Sequence, residues 1–435
     1  MVPLPLEGVR ALDLSEVWAG PMATSLLGDL GAEVIKVESF PRAPTNRPAV
    51  APPGGRWLVD NDTTAPRPWD RNASHNMCNR NKLGITLDLS RPLGKDLFQR
   101  LVAVSDVLVA GYSAGTMRKM GLAYEVLREV QPGLVMVGMP GWGEAGPCQG
   151  YVTLGNSIDA YVGHHLLRGY PGTDPSVTLP CVHSDAVVAV TVAFAVMAAL
   201  HYRERTGKGQ FIDVSHAEAL IPHLAWPYLD FAMNGRTGEQ LGNRDRAMAP
   251  HGCYPCRGTD AWAVIAVRND AEFAALCRAI GHPELAQDPR FADALGRVRH
   301  QDALDAIIAE WTRQHDHYDV MAILQRVGVP AGPVLADYEA LSDPQLAARG
   351  FFETVTQRYA GTHRYPGMLW KMSATPLSVR IPPSPLGEYN AFVYGELLGL
   401  SEADVLRLQA EGYIGTEYAP DAGMDPEDRA ATRSI

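Results

Sequence analysis

The feature that most limits what this chain can become is an apolar run from Ala186 to Leu200, in which only Thr191 is polar. Such a run is shorter than the roughly 20 residues that cross a bilayer, so it reads as a helix buried on all sides. His201-Tyr202-Arg203-Glu204-Arg205 close it, and Gly207 stands where a helix C-terminus favours glycine. The basic residues of that turn suit the negative end of the helix dipole. Ahead of the run lies Leu179-Pro180-Cys181-Val182-His183-Ser184-Asp185, which sets Asp185 at the N-terminal edge of the helix. Position alone leaves two readings open. Asp185 is an N-cap whose carboxylate takes a backbone N–H, or it is a carboxylate held ionised by the helix terminus and available as a nucleophile.

The segments before this helix alternate strand and helix. Val9 to Leu14 reads as a strand, Pro21 to Leu30 as a helix ending at Gly31, and Ala32 to Glu38 as a second strand. Further strands are expected at 84–89, 106–110, 134–138 and 211–215, with a helix opening at Pro92. This is the pattern of a doubly wound, Rossmann-like α/β domain. Glu38 ends the second strand, where a dinucleotide enzyme keeps a ribose-binding acid. The first turn, Ser15-Glu16-Val17-Trp18-Ala19-Gly20-Pro21, lacks the G-x-G-x-x-G pattern, and Val17 and Trp18 would obstruct a pyrophosphate. Residues 40–76 show no periodicity and are expected to form a long irregular loop, either a functional cover or a disordered insertion.

Beyond residue 240 the pattern changes to a smaller α+β module, with a strand at 262–267 and amphipathic helices at 271–280, 301–313 and 318–327. The expected division is a large domain at 1–220, a linker at 221–240, a small domain at 241–340, a linker at 341–368, and a C-terminal part at 369–435. A last helix is expected from Ser401, its cap, to Glu411, and the tail from Glu417 is expected to fray.

Composition narrows the function. Among 435 residues the net charge is -11, which argues against a general nucleic-acid binder. No signal peptide is expected, nor a membrane partner. Six cysteines point to no disulfide scaffold and to a reducing cytoplasm. Cys253-Tyr254-Pro255-Cys256 lacks the second pair that a structural zinc site wants, so no metal is expected. Gly111-Tyr112-Ser113-Ala114-Gly115 matches the nucleophile elbow of α/β-hydrolases, and Asp343 and His363 follow in triad order.

Short pieces stand in order along the chain, from Leu6–Leu14 and Ala19-Gly20-Pro21, through Leu30–Glu38 and Asn79–Asp88, to Thr206–Gln210, Gly242-Asn243-Arg244, Pro330–Val334, Ala348–Phe351, Pro385–Asn390 and Leu398–Ser401. This ordered set resembles the class III coenzyme A transferase family, which includes formyl-CoA and carnitine CoA-transferases. The resemblance implies that Asp185 is the nucleophile, attacking an acyl-CoA to form a mixed anhydride and then an aspartyl-CoA thioester. It implies coenzyme A, as acyl-CoA substrate, along Val17, Trp18 and Ala19 and near Lys82, Tyr112 and Lys119, with Glu144 in a turn near the site. It also implies acyl-CoA and carboxylic acids as partners, and an interlocked, ring-like homodimer. Gly242-Asn243-Arg244-Asp245 stands where formyl-CoA transferases carry a glycine-only loop, so an acid larger than formate or oxalate is expected. The family also holds α-methylacyl-CoA racemases, whose Gly-His-Asp turn corresponds here to Gly155-Asn156-Ser157, without the histidine. An acyl-CoA-binding protein without turnover is a third alternative.

Overall fold

The computed structural model describes residues 2–177, 181–419 and 422. Leu179 and Pro180 before the apolar helix, and all of the predicted tail beyond residue 419 except Ala422, lie outside the described residues. The chain divides into two compact units, one of Met1–Val162, Pro180–Ala225 and Gly350–Ile435, the other of Gly163–Leu179 and Trp226–Arg349. The sequence predicts linkers at 221–240 and 341–368; the last two crossings between the units fall at 225/226 and 349/350.

The first unit is built on six strands: β1 (Arg10–Leu14), β2 (Glu33–Glu38), β3 (Lys82–Thr86), β4 (Val107–Ala110), β5 (Val135–Gly138) and β6 (Gln210–Asp213). All pair in parallel, in the order β3-β2-β1-β4-β5-β6. The order reverses between β1 and β4, where open α/β sheets bind ligands beyond the strand C-termini. Side chains alternate across the strands. Ala11, Val34, Val107 and Val135 face a layer made by α1 (Ala19–Asp29) and the central helix (His183–Thr206). Leu12, Ile35, Leu108 and Met136 face the opposite layer, with Phe98, Leu101, Val393 and Tyr394. Both faces are covered, which explains why the strands are almost wholly apolar. The last part of the chain joins this unit through Tyr389 N–H to Gly84 O (3.0 Å) and Tyr394 O–H to Thr86 O (2.8 Å).

The second unit carries the antiparallel sheet β7 (His251–Pro255), β8 (Trp262–Ala266) and β9 (Ala331–Val334). A core of Tyr254, Ile265, Phe273, Leu276, Phe291 and Leu304 fills it. A separate hairpin, β10 (Phe352–Gln357) with β11 (Gly361–Pro366), belongs to the first unit.

One expectation changes. The central helix spans 24 residues and is long and apolar enough to cross a membrane, a test that core helices of soluble proteins also pass. It is buried on one face only: Val188, Val192 and Val196 pack inward, while Val190 and Phe194 are exposed, Phe194 at 69%. A helix lying on a sheet covers only one of its own faces. Residues 40–76 are irregular, as expected, apart from short helical turns, and part of the segment is buried against the first unit. Arg47, 1% exposed, pairs with Glu38, with Asp70 Oδ1 at 2.5 Å and with Ser384 O at 3.0 Å.

Candidate active site

Asp185 lies in the first turn of the central helix. It is not the cap. Val182 holds the N-cap position at φ 49° and supplies no side-chain bond. The capping carboxylate comes from Asp159, in the helix Gly155–Tyr161. Its Oδ2 accepts the His183 N–H at 3.2 Å and its Oδ1 the Ser184 N–H at 3.3 Å. Gly155 starts that helix directly against Asp185. A Cβ there would stand 2.4 Å from Asp185 Oδ2 and 2.4 Å from Val182 Cγ1, so any side chain would have to displace these neighbours. Burial pushes the Asp185 carboxyl up to about 6, the nearby Asp159 charge adds to this, and a hydrogen bond from the Ala19 amide opposes it.

Ala19 opens α1, so two helix N-termini meet at this carboxylate. The turn before α1 is strained: Val17 sits at φ 65°. A β-branched residue in the left-handed region costs on the order of 1–3 kcal/mol and persists only where its surroundings hold it. Val182 repeats the feature at the start of the central helix. The Val17 turn is held from two sides. Asn46, from the 40–76 segment, donates its Nδ2 to Val17 O at 2.6 Å. Below the turn lies a buried charge cluster. Asp13 Oδ1 accepts from the backbone N–H of Ser15 at 3.1 Å and from its hydroxyl, and Oδ2 from Thr24 at 2.7 Å. Lys82 Nζ lies 2.9 Å, and Lys36 Nζ 3.4 Å, from the same Oδ2. Burial alone would raise the Asp13 carboxyl, but Lys36, Lys82 and Ser15 outweigh it and hold it far below the usual carboxylate range.

The residues expected to meet coenzyme A therefore divide. Val17, Trp18 and Ala19 form the strained turn beside Asp185. Tyr112 and Lys119 line a cleft over the C-terminal ends of β1, β2, β3 and β4, together with Arg42, Lys95, Thr116 and Leu14. Lys82 is the correction. It is 1% exposed, and its ammonium is occupied by Asp13, Pro21 O (2.7 Å), Cys78 O (3.0 Å) and Asn79 Oδ1 (3.0 Å). Four acceptors around three N–H groups leave it nothing for a phosphate; burial lowers it to about 8. Glu144 borders a neighbouring cleft with Met117, Tyr124, Met136 and Phe211, and accepts the Gly115 N–H at 3.2 Å. Ser113 pairs with the Thr116 hydroxyl at 3.0 Å, not with a histidine, and His363 binds Ala360 O. The hydrolase arrangement is not assembled. Cys253 and Cys256 are free thiols.

Sequence reasoning missed Asp159, Asn46 and Arg42. None stands in a recognisable motif, and each is brought in by tertiary packing. Gly155 was legible only as a turn residue.

A six-stranded parallel sheet with a cleft over its strand C-termini, lined by Arg42, Lys95 and Lys119 as well as Glu38 and Asp88, suits an enzyme that handles a phosphorylated substrate. The description "CoA-transferase family III" matches residues 6–390, and the chain belongs to that family. It is similar to the succinyl-CoA–D-citramalate CoA-transferase of Chloroflexus aurantiacus, 34% identical over 412 residues, covering 95% of this chain and 98% of that one. It is also similar to the succinate–glutarate CoA-transferase of Agrobacterium fabrum, at 32% identity over 90% of this chain and 96% of that one. Among solved structures, a CaiB/BaiF family protein from Brucella suis superposes with a TM-score of 0.80 at 31% identity, covering 91% of this chain and all of that one. The protein is a class III CoA-transferase.

Proposed function

We propose that this enzyme transfers coenzyme A from an acyl-CoA to a dicarboxylic acid, with Asp185 as the covalent nucleophile. The observation that carries the reading is the Asp185 carboxylate itself: half-buried, unused as a cap, raised to about 6 and met by the Ala19 amide. At neutral pH it is mostly ionised yet more basic than an ordinary aspartate, which suits a nucleophile. Two relatives named for citramalate and glutarate support a dicarboxylate acceptor.

In this reading an Asp185 oxygen attacks the thioester carbonyl, the C–S bond breaks, and CoA leaves as thiolate with a mixed anhydride behind. The thiolate attacks the Asp185 carbonyl carbon, releases the donor acid as carboxylate and leaves an aspartyl-CoA thioester. The acceptor carboxylate attacks that thioester and expels the thiolate, giving a second anhydride. The thiolate then attacks the acceptor carbonyl, and Asp185 returns as carboxylate. The Ala19 amide at the N-terminus of α1 stabilises negative charge on the oxygens that form there. Arg42, Lys95 and Lys119 bind the phosphates of CoA, and Tyr112 lies beside them.

The family's homodimer is also part of the proposal, supported by the exposed Val190 and Phe194 on the central helix. A reducing cytoplasm fits six free thiols.

The test is to mix the enzyme with succinyl-CoA, quench with hydroxylamine and locate the adduct by mass spectrometry. A hydroxamate on Asp185 is expected; an adduct elsewhere, or none during turnover, overturns the assignment.

A further inference from the structure

We propose that Asp159 is a positioning residue for the transfer: by taking the leading amides of the central helix, it keeps Asp185 aimed over Gly155 and free of that helix's own N–H groups. The inference rests on the proposed role of Asp185 and deepens it.

An aspartate in the first turn of a helix ordinarily collects an N–H and lies in the positive end of the dipole. Both effects stabilise the ionised form and blunt it as a nucleophile. Here two of the leading amides are taken by another carboxylate. His183 N–H and Ser184 N–H go to the two oxygens of Asp159, which is fully buried. Val182 has no side-chain acceptor to offer. Gly155 and Asp159 stand four apart on one short helix, and therefore on the same face. One face thus makes two contacts: its glycine meets the Asp185 oxygen, and its carboxylate clamps the start of the helix that carries Asp185.

Other elements packed on this helix turn mostly neutral groups toward it. From α1 comes the Ala19 amide. From the segment before β3 comes Cys78, whose thiol burial pushes up to about 12. From the helix His216–Leu220 comes His216, which burial takes down to about 4. The helix Gly155–Tyr161 adds Tyr161, exposed, and Asp159, whose charge acts on Asp185. His183 shares the first turn and packs edge-on against His223.

Asp159→Asn keeps the shape and one cap oxygen but removes the charge. The acidic limb of the kcat/KM profile is expected to move down by about one pH unit, because a like charge is lost. At pH 8, kcat is expected to fall about tenfold, because the freed turn misaims the nucleophile. If Asp159→Asn does not fold, Asp159→Ser, which retains an acceptor without charge, carries the same test. A profile that superimposes on the wild type, with hydroxylamine trapping at Asp185 intact, makes Asp159 a structural cap and overturns the inference. Loss of trapping at Asp185 in the wild-type enzyme overturns the reading of Asp185 instead.

Discussion

Gly155 and Asp185 are in such close approach that a β-carbon on the glycine would stand 2.4 Å from the carboxylate oxygen. The glycine is needed for space and not for backbone freedom. Gly155→Ala is expected to push the carboxylate off its line or tilt the helix Gly155–Tyr161. A displacement near 1 Å at a reacting group costs about 100-fold in rate. The expected outcome is a kcat down by that order with the Kd for CoA unchanged, measured by steady-state kinetics and titration calorimetry. An alanine variant with full kcat contradicts this geometry.

The same carboxylate should make the protein less stable where it is most active. Its folded-state pKa, about 6, lies above the ordinary aspartate value of 3.8. The folded state therefore binds more protons than the unfolded state between those two values, and stability falls as pH rises through that window. The cost is absent below about pH 4 and complete above about pH 6.5, on the order of 3 kcal/mol. Asp185→Asn removes the ionisable group. It should unfold at a higher denaturant midpoint than the wild type at pH 7.5, with the difference vanishing near pH 4, while transfer is abolished. Equal midpoints at pH 7.5 would show that the carboxylate is solvated.

Much of this was legible in the sequence, and the exceptions share a cause. The parallel strands and the central helix announce themselves through runs such as Val107-Leu108-Val109 and Ala186–Leu200. Asp185 is marked because it stands where the greasy run starts. Its neighbour Asp159 is not, because it stands 26 positions earlier in the chain and no local pattern records the pairing. Lys82 misled for the opposite reason. Lysines are rarely buried, so a solvated or ligand-binding role was the natural expectation. Yet Lys36 pairs in register with Asp13 on the sheet face that α1 covers, and Lys82 reaches the same oxygen. A lysine and an aspartate at inward positions of adjacent strands, Ala11-Leu12-Asp13-Leu14 and Val34-Ile35-Lys36-Val37, were the available signal.

Lys82 and Lys119 should accordingly fail in different ways. Lys82→Met leaves Asp13 with Lys36 at 3.4 Å and strips a donor from Pro21 O, Cys78 O and Asn79 Oδ1. Breaking a buried pair in this way costs about 3 kcal/mol. Lys119 is exposed at the rim of the cleft, so Lys119→Ala should change stability by less than about 0.5 kcal/mol. Its effect belongs in the KM for acyl-CoA, raised about tenfold at low salt and less at high salt, where exposed charges are screened. Thermal melts and KM values for both variants separate the two roles; a Lys82 variant with normal stability and a raised KM would return that lysine to the substrate.

Asn46 ties the long irregular segment to the chemistry. Its amide donates to Val17 O at 2.6 Å; Asn46 is 6% exposed and the bond is part-buried. Val17 is held at φ 65° one residue before the N-cap of α1, whose first amide meets Asp185. Without the bond, Val17 has reason to leave the left-handed region, since relaxing recovers strain of about 1 kcal/mol or more. Any such relaxation moves Trp18 and Ala19 with it. Asn46→Ala should lose about 1–2 kcal/mol of stability through the unsatisfied carbonyl. It should also raise the KM for acyl-CoA severalfold and lower kcat, because the turn and the Ala19 amide shift together. Asn46→Asp is the sharper variant: it keeps the size, removes the donor and sets a carboxylate against a carbonyl oxygen, so it should be worse than alanine in both respects. A lowered melting temperature with kcat and KM unchanged in both variants would mean that the segment only braces the fold.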